Sequence, residues 1–175
     1  MGSYSIRQLE ALTGIKAHTL RVWEQRYNVI EPHRTSTNIR YYDDEHLKRL
    51  LSLSTLVNQG IRISEACKLS EKEVRNRIES MHCQEHHAYE DFINTFMISM
   101  IDMDEKKFNK VYNACLCDHK FEDIVLNVFY PFLTKVGIMW GMNEISPAQE
   151  HFASNLIRRK MISATNDLPL KNTGD

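Results

Sequence analysis

Several kinds of chemistry are missing from this sequence. There is no glycine-rich phosphate loop, no nucleophile elbow and no His-Glu-x-x-His helix, so the common hydrolase and nucleotide-binding signatures are excluded. Four cysteines in 175 residues, Cys67, Cys83, Cys115 and Cys117, are too few and too irregular for a disulfide framework, and reduced thiols are expected. No run of uninterrupted apolar residues reaches a membrane-spanning length, and the N-terminus lacks a basic stretch followed by an apolar block. Met1-Gly2-Ser3 begins like a myristoylation site, but Ile6 stands where that motif needs Ser or Thr. No internal repeat or low-complexity tract interrupts the chain. These absences point to a cytoplasmic protein without a membrane partner.

What is present divides in two. Residues 1–80 carry 13 Lys/Arg against 10 Asp/Glu, a net of +3, whereas residues 81–175 carry 9 against 13, a net of −4. The excess at the front favours an anionic partner there. Ser5, with Gln8 three residues on, opens a helix striped by Ile6, Leu9 and Leu12 and closed at Gly14. A short turn leads to a second helix, Ala17 to Tyr27, with Leu20, Trp23 and Tyr27 along one side, which is the helix-turn-helix pattern. Pro32 and the Thr35-Ser36-Thr37-Asn38 tract argue against helix, and Ile39 to Tyr42 suit a strand, so Val29 to Tyr42 is expected to form a wing. Asp43 caps a Leu-rich helix that ends at Gly60. Two shorter helices follow near 64–69 and 71–79, the latter opened by Ser70 and Glu73.

Periodicity lapses between Ser80 and His87. The expected organisation is therefore a DNA-binding unit over 1–80, a linker over 81–87, a four-helix bundle over 88–165 and a polar tail over 166–175. The bundle helices begin with the Tyr89–Ile101 apolar face and the Phe108, Val111, Tyr112, Cys115 stripe. A long helix, Phe121 to Trp140, follows and is expected to kink at Pro131; the last opens at Ser146-Pro147-Ala148-Gln149. The fold class is mainly α, a winged helix-turn-helix followed by a four-helix bundle.

On the second helix, His18, Thr19, Arg21 and Gln25 point away from Leu20 and Trp23, and Arg34 and Arg40 lie in the wing. These are the donors that a groove edge and its flanking phosphates require. A solvated helix face would look similar by residue type alone. The order Thr19-Leu20-Arg21-Val22-Trp23-Glu24-Gln25-Arg26-Tyr27, a Pro32 link, then Arg40-Tyr41-Tyr42-Asp43 and a Leu-rich helix resembles the DNA-binding domain of the mercury-resistance (MerR) regulators over about residues 4–75. Its Trp-Glu and Arg-Tyr pairs are similar to the branch that includes cobalamin-dependent photoreceptor repressors. The resemblance implies DNA contacts by Arg21 and Tyr27 on the recognition helix and by Arg40 and Tyr41 in the wing, with Trp23 in the core between them. It implies binding to double-stranded promoter DNA as a homo-oligomer on paired half-sites, a nucleoid-associated location and no enzymatic activity.

A second constellation is Trp140 followed after nine residues by Glu150-His151. By chemistry alone it fits either the wall of a flat ligand site or a core tryptophan beside a carbonyl-bound histidine. The spacing resembles the Trp-x9-Glu-His signature of the helical bundle that caps cobalamin in that regulator branch and in corrinoid methyltransferases, over about residues 88–165. This implies a cobalamin-type cofactor, adenosylcobalamin or a relative, with Trp140, Glu150 and His151 facing it. Gly141 departs from the pattern, because light-sensing relatives place a histidine directly after the tryptophan. The α/β domain that supplies the lower ligand, with its Asp-x-His-x-x-Gly loop, has no counterpart here. The bundle then offers half of a corrin site, and the tail reads as an interdomain linker. The alternatives are a regulator whose bundle binds a protein partner, such as an antirepressor, and a metal-sensing MerR regulator. Cys115, Cys117 and His119 do not share a helix face, and the His82/His86 and Cys83/His87 pairs lack the cysteine loop of metal-sensing relatives, so no metal site is expected.

Overall fold

The computed structural model describes residues 2–81 and 89–166. Most of the expected 81–87 linker and 166–175 tail, with the His82/His86 and Cys83/His87 pairs, lies outside them.

Local signals decide the first half. Helix α1 (Ile6–Thr13) starts on a complete capping box: Gln8 N–H donates to the Ser5 hydroxyl, and the Ser5 N–H donates to Gln8 Oε1 at 2.6 Å. It ends on Gly14, whose φ of 73° an L side chain would resist. Lys16, at the head of α2 (Ala17–Tyr27), makes no side-chain cap. The Glu10 carboxylate accepts the Ala17 N–H at 3.1 Å instead and pairs with Lys16. Leu20 and Trp23 are buried beneath α2, and Asn28 closes it with a positive φ.

The wing is a two-stranded antiparallel hairpin, β1 (His33–Arg34) and β2 (Arg40–Tyr41), with His33 opposite Tyr41 and Arg34 opposite Arg40. Tyr4 adds an isolated bridge to Tyr42 through two backbone hydrogen bonds of 2.7 and 2.9 Å, which ties the N-terminal segment to the wing's exit. The Tyr42 hydroxyl donates to Glu24 on α2, locking wing to recognition helix.

Helix α3 (Asp44–Asn58) follows the Asp43 cap, then come α4 (Ile63–Ala66) and α5 (Glu71–Met81), which Ser70 and Glu73 cap reciprocally. Helix α5 thus continues through Met81, the first residue assigned to a linker by sequence.

The second half is the expected four-helix bundle: α6 (Tyr89–Ile101), α7 (Glu105–Asp118), the long helix Phe121–Gly141 and α10 (Pro147–Asn166). The long helix comprises α8 (Phe121–Ile124), a π-helical turn over Val125–Phe129 and α9 (Tyr130–Gly141). The wide turn lies directly before Pro131 and accommodates the residue that lacks an N–H, so the helix is re-phased without interruption. Its 21 residues are long and apolar enough by composition to cross a membrane, although charged and polar residues interrupt every run. Here Ile124, Val128, Phe132, Val136 and Met139 are buried against the bundle. Phe96 sits at the centre, its ring 4.5 Å from Phe108, 5.8 Å from Phe129 and 5.9 Å from Phe132.

Helix α6 departs from its one-sided reading, because every residue from Asp91 to Ile101 is buried. Its polar side is covered by α3: Gln59 and Asn58 donate to the Asp91 carboxylate, and Asn94 donates to the Thr55 hydroxyl. The two halves also meet at Lys135, whose ammonium donates to the Leu12 carbonyl at 2.8 Å and to Glu90 at 2.6 Å. Gln8 Nε2 donates to the Met142 sulfur, and the Ser3 N–H donates to Glu144. The bundle therefore rests on the helix-turn-helix unit.

Candidate nucleic-acid interface and ligand face

On α2, His18, Arg21 and Gln25 are exposed, whereas Thr19 and Tyr27 are half-buried. The exposed three recur at helical spacing and form an outward row, with Leu20 and Trp23 behind them in the core. In the wing, Arg34 and Arg40 are exposed and Tyr41 is half-buried, its ring 5.2 Å from that of His33. Arg34 Nη1 donates to Asn38 Oδ1 at 2.7 Å across the wing tip, where Asn38 adopts a φ of 63°.

The electrostatics join helix and wing. Burial, and then the hydrogen bond to Glu24, push the Tyr42 phenol well above its ordinary range, while Arg40 and Arg21 oppose the shift. Arg21 on the recognition helix and Arg40 in the wing are thus both close enough to Tyr42 to favour its charged form. Arg34 and Arg40 also face each other across the hairpin, and like charges placed directly opposite destabilise a strand pair. A phosphate between them would relieve that repulsion.

A cluster missed by the sequence reading sits at the wing's base. The Asp43 carboxylate caps α3 by accepting the His46 N–H at 3.0 Å, and its second oxygen lies 2.8 Å from His33 Nε2. Burial pushes this carboxyl up, but the bonds from His46 and His33 and their charges outweigh it and hold it below the usual range. His33, Asp43 and His46 present ligand-type atoms all within 4.8 Å of one another. The hairpin brings His33 to residues ten and thirteen positions away, and nothing in the local pattern announces it.

The other face lies on the bundle. From the π turn onward, Leu126, Tyr130, Leu133 and Trp140 recur along one side of the long helix, and all are exposed, Tyr130 at 72% and Trp140 at 47%. Trp140 is thus not a core residue. A Cβ placed on Gly137 or Gly141 would meet nothing within 4 Å, which leaves bare backbone beside the indole. Glu150 is half-buried and His151 exposed in the first turn of α10, and they pair with each other at 2.7 Å. Trp140 at the end of α9 and Glu150-His151 at the start of α10 flank the same connection, residues 142–146. In α7, Cys115 is buried while Cys117 is exposed, and the half-buried ring of His119 beyond its end lies tilted 4.6 Å from that of Tyr89, so the three do not converge.

A family model described as MerR HTH family regulatory protein matches residues 4–73, and one described as B12 binding domain matches residues 92–163. The HTH-type transcriptional repressor CarH of Myxococcus xanthus is 29% identical over 175 residues, covering 96% of this chain and 58% of the relative. CarA, an HTH-type transcriptional repressor from the same organism, is 26% identical over 159 residues, 89% of this chain and 50% of its own length. A ZntR homolog of Haemophilus influenzae, an HTH-type transcriptional regulator, is 38% identical over 60 residues, 34% of this chain and 44% of the relative. The chain spans about half the length of the two Myxococcus repressors it resembles.

Proposed function

We propose, from the match of residues 4–73 to the MerR HTH regulatory proteins and of residues 92–163 to a B12 binding domain, that the chain is a non-enzymatic transcriptional regulator acting on promoter DNA in the cytoplasm. Helix α2 enters a major groove through His18, Arg21 and Gln25, with Thr19 and Tyr27 at its margins, while Arg34, Arg40 and Tyr41 grip the flanking backbone. The outward row of His18, Arg21 and Gln25 on α2, beside a wing that exposes Arg34 and Arg40, carries this reading. Selection from a random duplex library tests it. Enrichment of a paired half-site, with affinity that falls steeply as salt rises, is expected. A pool that stays at its starting composition would overturn it.

The bundle's exposed face suits a flat, partly apolar ligand. Leu126, Tyr130, Leu133 and Trp140 supply apolar contact, Gly137 and Gly141 allow close approach, and the Glu150-His151 pair adds a polar margin. A cobalamin bound there would supply a broad corrin with an exchangeable upper axial group. Gly141 offers no imidazole, so this face makes contact without a cobalt ligand at that position. It covers one side of such a group only. On gel filtration with adenosylcobalamin, the corrin is expected to elute apart from the chain; stoichiometric co-elution would show that α9 and α10 hold it unaided. A homo-oligomer on paired half-sites, and an antirepressor competing for the helix and wing, complete the proposal.

A further inference from the structure

Between the two halves, away from α9 and α10, lies a cleft of about 350 Å³. Its walls come from α3 and α5 on one side and α6 and α7 on the other. Val74, Ile78, Ile98 and Val111 give it an apolar interior, and its rim is cationic. The volume lies within the usual range for small-molecule pockets.

The cations on the rim are not equivalent. Lys48 is neutralised by Asp102 at 2.7 Å and Glu45 at 2.8 Å, and Arg49 donates to the Cys67 and Leu69 carbonyls. Lys107 is half-buried, and among the described residues its ammonium has no ion pair. Burial holds its pKa below the ordinary lysine value, and neighbouring Arg75 and Lys48 press in the same direction. Asp102 and Asp104 act in the opposite direction, and Asp102 is already engaged by Lys48. A desolvated cation without a direct ion pair, set at the mouth of an apolar cleft, is an arrangement that an anion would improve.

We propose that this cleft binds a small organic carboxylate, its apolar body between α5 and α7 and its carboxylate on Lys107. Lys48 and Arg49 being engaged within the protein, Lys107 and the apolar interior select a monoanion over a phosphate ester. The site goes beyond the DNA and cobalamin faces and shares no residue with either. Because its walls belong to both halves, its occupant would tie the DNA-binding unit to the bundle.

Calorimetric titration of the whole chain with benzoate, 2-naphthoate and octanoate, each beside its neutral amide at constant ionic strength, tests the site. At least one carboxylate is expected to saturate at one per chain, with its amide bound about tenfold or more weakly, as loss of a charge-assisted contact requires. Lys107→Met is expected to impose a similar loss while leaving the melting temperature in place. Val111→Trp, which fills the cleft, is expected to abolish binding. The proposal fails if none of the three carboxylates binds, if acid and amide bind alike, or if Lys107→Met binds as the parent does.

Discussion

Alanine at Arg21 or at Arg40 is expected to weaken duplex binding by about 1–3 kcal/mol each, measured by anisotropy on a selected duplex at fixed salt. Both side chains are exposed, so the fold should stay within about 0.5 kcal/mol of the parent. Removing Arg40 also removes the like-charge opposition with Arg34, which makes a collapse of the wing an implausible source of the loss. Salt dependence separates the two roles. A phosphate-contacting arginine lowers the salt slope by about 1 when removed, whereas a base-contacting one relaxes sequence preference at one position. Unchanged affinity for both variants would remove helix and wing from the proposed interface.

The larger effect on stability is expected from Phe96→Ala, about 3–5 kcal/mol by analogy with other large-to-small core substitutions. Phe96 is fully buried and its ring meets Phe108, Phe129 and Phe132, so three bundle helices would line the void. Helix α6 also receives α3 of the DNA-binding unit through Asp91 and Asn94. The two halves are therefore expected to melt as one unit. Thermal unfolding followed by far-ultraviolet and near-ultraviolet dichroism should give coincident curves, both displaced downward in the variant. Separate transitions, with only one displaced, would show that the α3–α6 contact does not couple the halves.

The features legible in the sequence are those written over short stretches. Ser5 with Gln8, Asp43, Ser70 with Glu73 and Ser146 with Gln149 announce helix starts because a cap and its partner lie three residues apart. The exposed row on α2 follows from helical spacing once Leu20 and Trp23 are assigned inward. What escaped depends on distant segments meeting. Tyr4 pairs with Tyr42 through a single bridge, too short to leave a strand pattern. His33 reaches Asp43 only after the hairpin turns, and it is Lys48, from another helix, that pairs with Asp102. The π turn ahead of Pro131 was not foreseen, because widening the preceding helix is a way to accommodate a residue without an N–H that leaves no mark in the local pattern. Helix α6 carries an apolar stripe, but its polar positions gave no sign that α3 would bury them.

Lys135 lies on the helix that presents Leu133 and Trp140 outward, and it grips the last turn of α1 through the Leu12 carbonyl. A molecule seated on the outer side of α9 and a duplex held by α2 would act on opposite ends of one joint. Binding free energies around such a joint form a closed cycle: the factor by which an occupied bundle changes affinity for the duplex is the same factor by which a bound duplex changes affinity for the bundle's occupant. Where that factor differs from one, a bound duplex would itself be an effector of the bundle, and a threshold measured without DNA would differ by that factor from the one measured on DNA.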